Sequence, residues 1–142
     1  LDRKVSDFAK NNDISGMEFL SCIPGSIGGA IIMNSGCYGS DISEILSSIK
    51  IIGEQGTEKE IKNHEIKFFY RGTNIPKNYI ILSAVLKGII SSKQLIEQKQ
   101  EKLIERKKKS QPSQIKTGGS TFKNSNDKKN NSEKENIIIF VC

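Results

Sequence analysis

Apolar positions change period several times along the chain, and each change marks an element. Leu1, Val5 and Phe8 fall at i, i+4 and i+7, one stripe of a short amphipathic helix over residues 1–10. Asn11-Asn12-Asp13 ends it. Residues 16–39 then read as an apolar approach, a Pro-Gly corner and a run of small residues, with a brief helix over 30–34. After a polar turn at 40–44, Ile45, Ile49, Ile51 and Ile52 suit a strand, and Gly53-Glu54-Gln55-Gly56 closes a hairpin onto residues 57–61. Residues 79–90, rich in β-branched and apolar side chains, predict a buried strand. Ser91-Ser92-Lys93-Gln94 predicts a capping box that opens a helix through Lys109, stopped by Pro112. The apolar stripe of that helix, Leu95, Ile96, Leu103 and Ile104, is thin, as suits a helix on a surface or between two domains. Residues 125–136 are almost wholly Asn, Lys, Ser, Asp and Glu, which predicts a flexible loop, and 137–141 predict one more strand. The fold class expected is α+β, a mixed sheet with short helices.

Composition narrows the classes. A chain of 142 residues, 35% hydrophobic and 27% charged, suits one soluble domain. No apolar run approaches the ~20 residues needed to cross a bilayer, and no apolar h-region follows Leu1-Asp2-Arg3-Lys4. A cytoplasmic protein without a membrane partner is expected. The net charge of +6 sits mostly on residues 93–109, where Glu97, Glu101 and Glu105 interleave with the lysines. That predicts i,i+4 pairs on a solvated face. Aromatic and basic residues do not alternate as in a single-strand binder, so no nucleic-acid partner is expected. The charge is compatible with attracting an anionic nucleotide substrate. Cys22, Cys37, Cys142 and the single His64 lack metal-ligand spacing. No metal site is expected, the thiols read as small hydrophobes, and His64 reads as a surface residue.

The densest signal is Ile23-Pro24-Gly25-Ser26-Ile27-Gly28-Gly29-Ala30. Glycine lets backbone come close to a ligand, and a helix start supplies unpaired N–H groups, so an anion such as a pyrophosphate is the first hypothesis. A P-loop would need Gly-Lys-Ser/Thr, and a dinucleotide fingerprint Gly-x-Gly-x-x-Gly; neither is present. A glycine-rich structural turn that binds nothing is the alternative.

The whole run from Gly16-Met17-Glu18-Phe19-Leu20 through Asn34-Ser35-Gly36-Cys37-Tyr38-Gly39 resembles the flavin-binding signature of the UDP-N-acetylenolpyruvoylglucosamine reductase family. Phe69-Tyr70-Arg71 and Thr117-Gly118-Gly119-Ser120-Thr121-Phe122-Lys123-Asn124 follow in the family's order, so the resemblance covers roughly residues 1–124. It implies the middle of a two-subdomain FAD-binding fold at 1–90, a connecting helix at 91–112 and the start of a substrate-binding domain at 113–142.

The resemblance also implies a chemistry: NADPH reduces FAD, and hydride then passes to the enolpyruvyl double bond of a UDP-sugar, giving UDP-N-acetylmuramate for peptidoglycan. Ile23, Pro24, Gly25, Ser26, Gly28 and Gly29 would hold the flavin pyrophosphate, and Asn34, Gly36 and Gly39 would shape the wall near the cofactor, with close packing alone as the alternative for these three. Arg71 would stabilise the charge that develops beside the substrate carboxylate, because a guanidinium grips a carboxylate through two donors. Ser120 would protonate the substrate carbon, and Tyr70, Lys123 and Asn124 would contact substrate. Gly72-Thr73 replaces the family's x-Ser, and Ser125 stands where the family has proline. The family's preceding Gly-Gly-Gly-Ser-Asn flavin motif and its C-terminal glutamate are not in this sequence. The expectation is thus an incomplete chain of an enzyme that is monomeric when complete, with an inactive remnant or flavin-binding fragment as the alternative.

Overall fold

The computed structural model describes residues 1–110. They form helices α1 (Asp2–Asn11), α2 (Ile27–Ile32), α3 (Ile42–Ile45) and α4 (Lys93–Ser110) and strands β1 (Ile14–Ser15), β2 (Gly36–Cys37), β3 (Ser40–Asp41), β4 (Leu46–Ile52), β5 (Glu58–Lys62), β6 (Phe68–Phe69), β7 (Gly72–Thr73), β8 (Ile80–Leu86) and β9 (Ile89–Ile90). A 3-10 turn, Glu18–Cys22, joins β1 to the glycine-rich segment. This is the mixed α+β architecture expected.

The antiparallel sheet β5-β4-β8 is its centre. Ile49 and Ile51 of β4 are each 1% exposed and cross-pair with Ile61, Ala84 and Ile81, so the middle strand carries much of the apolar core. Ala30 and Ile31 of α2, Ile42, Ile45 and Leu46, and Met17, Phe19 and Leu20 around the 3-10 turn pack into the same core. The hairpin between β4 and β5 closes as its turn residues dictate, with Gly53 N donating to Thr57 O at 3.2 Å and Gly56 in the left-handed region at φ 75.

Four expectations are corrected. The brief helix lies at Ile27–Ile32 rather than 30–34, because the Ser26 hydroxyl caps it by accepting from Gly29 N, which draws both glycines into the first turn. The polar turn at 40–44 is instead β3 followed by α3, the latter capped by Asp41 accepting from Ser43 N. Residues 79–90 are not one buried strand. Lys87-Gly88 separates β8 from β9, and Ile80, Leu82 and Val85 are exposed because β8 is the outer strand of a sheet with one covered face. A register shift between Lys50 and Ile51 leaves Leu82 without a partner on β4, a bulge that turns its side chain out.

The fourth correction concerns the helices. In α1 the buried residues are Asp2, Ser6 and Ala9, while Leu1 and Phe8 are 71% and 66% exposed. The cause is a distant polar partner: Gln100 Nε2 of α4 donates to Ser6 Oγ at 2.7 Å, both side chains buried. In α4 the seam is Ile96, Gln100 and Leu103, with Leu95 exposed, and the helix lies along the 3-10 turn and α1. Its cap is Ser92, which accepts from Leu95 N at 3.4 Å, one residue later than the capping box predicted at Ser91 and Gln94. The charges expected to pair along α4 pair across elements, Glu97 with Lys10 at 3.7 Å and Lys99 with Glu18 at 3.8 Å. Among the described residues no helix is long and apolar enough to cross a membrane.

Candidate functional site

The two glycine-rich loops flank α2. On its amino side, Ile23-Pro24-Gly25-Ser26 runs over the start of α1, where Asp2 N donates to Gly25 O at 3.1 Å. A Cβ on Gly25 would stand 3.1 Å from Asp2 Oδ2, so this glycine is set by packing. The Asp2 carboxylate is buried, neither oxygen has a hydrogen-bond partner among the described residues, and burial raises its carboxyl above the ordinary value of 3.8. Gly28 and Gly29 behave differently. A Cβ on either would meet only ordinary contacts, Ile81 Cβ at 3.9 Å and Ser26 Oγ at 3.4 Å. Glycine inside a helix costs roughly 0.5–1 kcal/mol relative to alanine, and nothing within the described fold asks for that cost at these two positions. The amides of Ile27 and Gly28 have no acceptor among the described residues, as befits a first helical turn.

On the carboxyl side, Asn34 is buried at φ 40, and its amide is fully engaged. Its Nδ2 donates to Phe69 O at 3.3 Å and Asp41 Oδ2 at 3.4 Å, and its Oδ1 accepts from Ser43 N at 3.1 Å. Gly36 cannot carry a side chain, since a Cβ would run into Ser40 O and come within 2.8 Å of Asp41 Cα across the β2–β3 pair. Gly39 is exposed at φ 93, and a Cβ there would meet nothing within 4 Å among the described residues. Asn34 and Gly36 thus shape this loop from within.

Arg71 lies at the tip of the β6–β7 hairpin at φ 57, a left-handed conformation that ordinary side chains seldom adopt. Its Nη2 donates to Gly36 O at 3.2 Å and its guanidinium lies 5.0 Å from the centre of the Tyr70 ring. Thr73 Oγ1 donates to Ile32 O at 3.2 Å, which fastens the same hairpin to the end of α2. Asn34, Gly36, Tyr70 and Arg71 therefore come together, while Ile23 to Gly29 lie at the other end of α2. Ser120, Lys123 and Asn124, the proposed substrate domain at 113–142, the loop at 125–136, the strand at 137–141 and Cys142 lie outside the described residues.

Comparison with known proteins accounts for the order of these motifs. The chain is 45% identical over 124 residues to the UDP-N-acetylenolpyruvoylglucosamine reductase of Pelagibacter ubique, 87% of this chain and 41% of that protein. It is 47% identical over 121 residues to the reductase of the same name from a Wolbachia of Drosophila simulans, 84% of this chain and 41% of the relative. The crystal structure of UDP-N-acetylenolpyruvylglucosamine reductase (MurB) from Thermus caldophilus matches with a TM-score of 0.81 at 27% identity, over 88% of this chain and 46% of that one. The chain belongs to the UDP-N-acetylenolpyruvoylglucosamine reductase family. It spans about 41% of the length of these curated relatives. No protein-family model matches it.

Several residues have roles that periodicity did not reveal. Glu18, in the Gly-Met-Glu run, accepts from Ser15 Oγ at 2.6 Å and from Gly16 N at 2.7 Å, holding a turn whose Gly16 sits at φ 110. Lys99 donates to Ser15 Oγ at 3.1 Å from α4. Lys107 Nζ donates to Cys22 O at 2.7 Å, and the Arg106 guanidinium lies 4.9 Å from the Tyr38 ring centre. The Glu18 contacts are local, whereas those of Lys99, Lys107 and Arg106 join residues far apart in sequence. A cleft of about 650 Å³ opens between α4, the 3-10 turn and the β2–β3 hairpin, lined by Phe19, Cys37, Tyr38, Lys99, Lys102 and Leu103 among others. None of the described site residues predicted from sequence lines it, although Cys37 and Tyr38 of the second loop do. Cys22 and Cys37 are free thiols; burial, with a smaller contribution from the neighbouring Cys22, pushes Cys37 up to about 11 against the opposing pull of Lys107 and Arg71. No cluster of metal-ligating side chains occurs among the described residues.

Proposed function

We propose that this chain supplies the pyrophosphate loop and the substrate-binding cation of an FAD-dependent, NADPH-driven reduction of UDP-N-acetylenolpyruvoylglucosamine to UDP-N-acetylmuramate, a cytoplasmic step of peptidoglycan precursor synthesis carried out by a monomer. The observation that carries the reading is the pair Gly28-Gly29: two helical glycines that internal packing does not require, beside amides left without acceptors. A group approaching from outside accounts for both features.

FAD, when bound, supplies hydride to the substrate double bond. The chain's own residues do the rest. Ile27 and Gly28 offer amides to the pyrophosphate, and Pro24 fixes the corner that presents them. Arg71, anchored through one terminal nitrogen to Gly36 O, keeps its remaining donors for the substrate carboxylate, where negative charge grows as hydride arrives. Ser120 donates the proton that completes the reduction, with Arg71 stabilising the alkoxide left behind. Tyr70, Lys123 and Asn124 hold the sugar nucleotide.

A chimaera tests this directly, with the matched stretch of this chain replacing its counterpart in the Pelagibacter ubique relative. The expected product is yellow and reduces the enolpyruvyl sugar nucleotide with NADPH. Gly28→Val should remove the flavin from a chimaera that still folds. Ser120→Ala should leave flavin reduction by NADPH intact and slow reoxidation by the enolpyruvyl substrate by about a hundredfold, within the usual range for general acid catalysis. A folded, colourless parent chimaera would overturn the reading.

A further inference from the structure

The last turns of α4 reach both glycine-rich loops with neighbouring residues. Lys107 Nζ donates to Cys22 O at 2.7 Å, and Cys22 ends the 3-10 turn one residue before Ile23 opens the pyrophosphate loop. Arg106 covers the Tyr38 ring in the second loop at 4.9 Å, and Tyr38 Oη lies 3.4 Å from Ser110 Oγ. The other ties of α4 sit elsewhere: Lys99 at Ser15, Gln100 at Ser6, Ile96 in the interior. Those ties dock the helix as a body. Lys107 holds one carbonyl at the end of a helical turn, where backbone acceptors otherwise lack a partner. Lysine suits this task because its long stem spans from the helix and its ammonium makes a charge-assisted bond. Everything that follows α4 in sequence, including Thr117-Gly118-Gly119-Ser120, is joined to the helix that makes this bond.

We propose that Lys107 is a positioning residue for the flavin loop: through Cys22 O it fixes where the chain leaves the 3-10 turn, and so sets the loop Ile23 to Gly29 against the helix that leads to Ser120. The proposal rests on the flavin reading given above. It places a function on a lysine that composition counts only as part of a basic run, Lys107-Lys108-Lys109.

The test has one arm without cofactor and one with it. In the 142-residue chain, amide hydrogen exchange is followed by NMR at Ile23, Gly29 and Ala30, whose amides bond to Leu20 O, Ser26 Oγ and Ser26 O. Lys107→Met should speed exchange at these amides by about tenfold, the loss expected for one charge-assisted hydrogen bond, and leave Ile49 and Ile51 of β4 unchanged. Lys107→Arg should restore most of the protection, because the charge and reach are kept. In the chimaera, Lys107→Met should weaken FAD binding by about tenfold, with kcat at saturating flavin little altered. Equal loop exchange in parent and Lys107→Met would overturn the clamp, as would faster loop exchange with unchanged FAD affinity. A parent chimaera that binds no FAD would instead overturn the flavin reading, and the exchange arm would still decide whether Lys107 holds the loop.

Discussion

Single residues divide into those fixed by the fold and those the fold leaves free. Gly36 has no room for a Cβ, and Asn34 spends every donor and acceptor of its amide inside the chain, so both are explained without a ligand. Gly28, Gly29 and the Arg71 donors without a partner among the described residues are not. That division could not be drawn from the sequence, where all the glycines of the motif look alike; it needed the neighbours that each Cβ would meet. Cys37 gives a measurable consequence at this scale. Its thiol is pushed up to about 11 chiefly by burial, so the folded state holds the proton more tightly than the unfolded chain, whose thiol titrates near 9.0. The stability contributed by this group is full below about pH 9 and is lost as pH rises through 11. Alkylation of Cys37 by iodoacetamide at pH 8 should be at least about tenfold slower than that of the unfolded chain, since only the thiolate reacts. Equal rates in native and denatured protein, read by mass spectrometry, would contradict this.

Elements were legible where their determinants are local. The hairpin of β4 and β5, the long helix and the order of the motifs follow from turn residues and spacing within a few positions. The buried face of α1 did not follow, because Ser6 finds its partner Gln100 at a separation of 94 residues. Nor did the exposure of β8, since being the outer strand is a property of the sheet order β5-β4-β8 rather than of the strand itself. Ile80, Leu82 and Val85 leave an apolar strip along that edge, 67%, 47% and 57% exposed. Outer strands with such strips template association. Placing a charge there, as in Leu82→Lys with Val85→Lys, should reduce self-association of the 142-residue chain at millimolar concentration while shifting the thermal midpoint by only a few degrees. Light scattering that is unchanged in the double variant would count against this strip as the contact.

At the scale of the whole molecule, family membership was legible from three ordered motifs, because a motif records a backbone shape and its chemistry together. The assembly of those motifs was not, because it is made by long-range pairs such as Arg71 with Gly36 and Lys107 with Cys22. The pairing of β1 with β9 is another of these. Ile14 lies opposite Ile90 and Ser15 opposite Ile89, and Ser91 N donates to Asp13 O at 2.9 Å, so two strands of two residues each fasten the chain into a closed loop holding everything from α2 to β8. Gly88 permits the approach, since a Cβ there would run into Ile14 Cγ2 and stand 2.7 Å from Ser15 O. In terms of time rather than geometry, closing so long a loop carries the entropy of all the residues inside it, whereas the β4–β5 hairpin closes over five, residues 53–57. The fastening should therefore form after the sheet and be the first tertiary contact to part. Gly88→Ala would then destabilise by accelerating unfolding and leave the folding rate nearly unchanged, a φ-value near zero. A matching slowdown of folding would place this clasp in the nucleus instead.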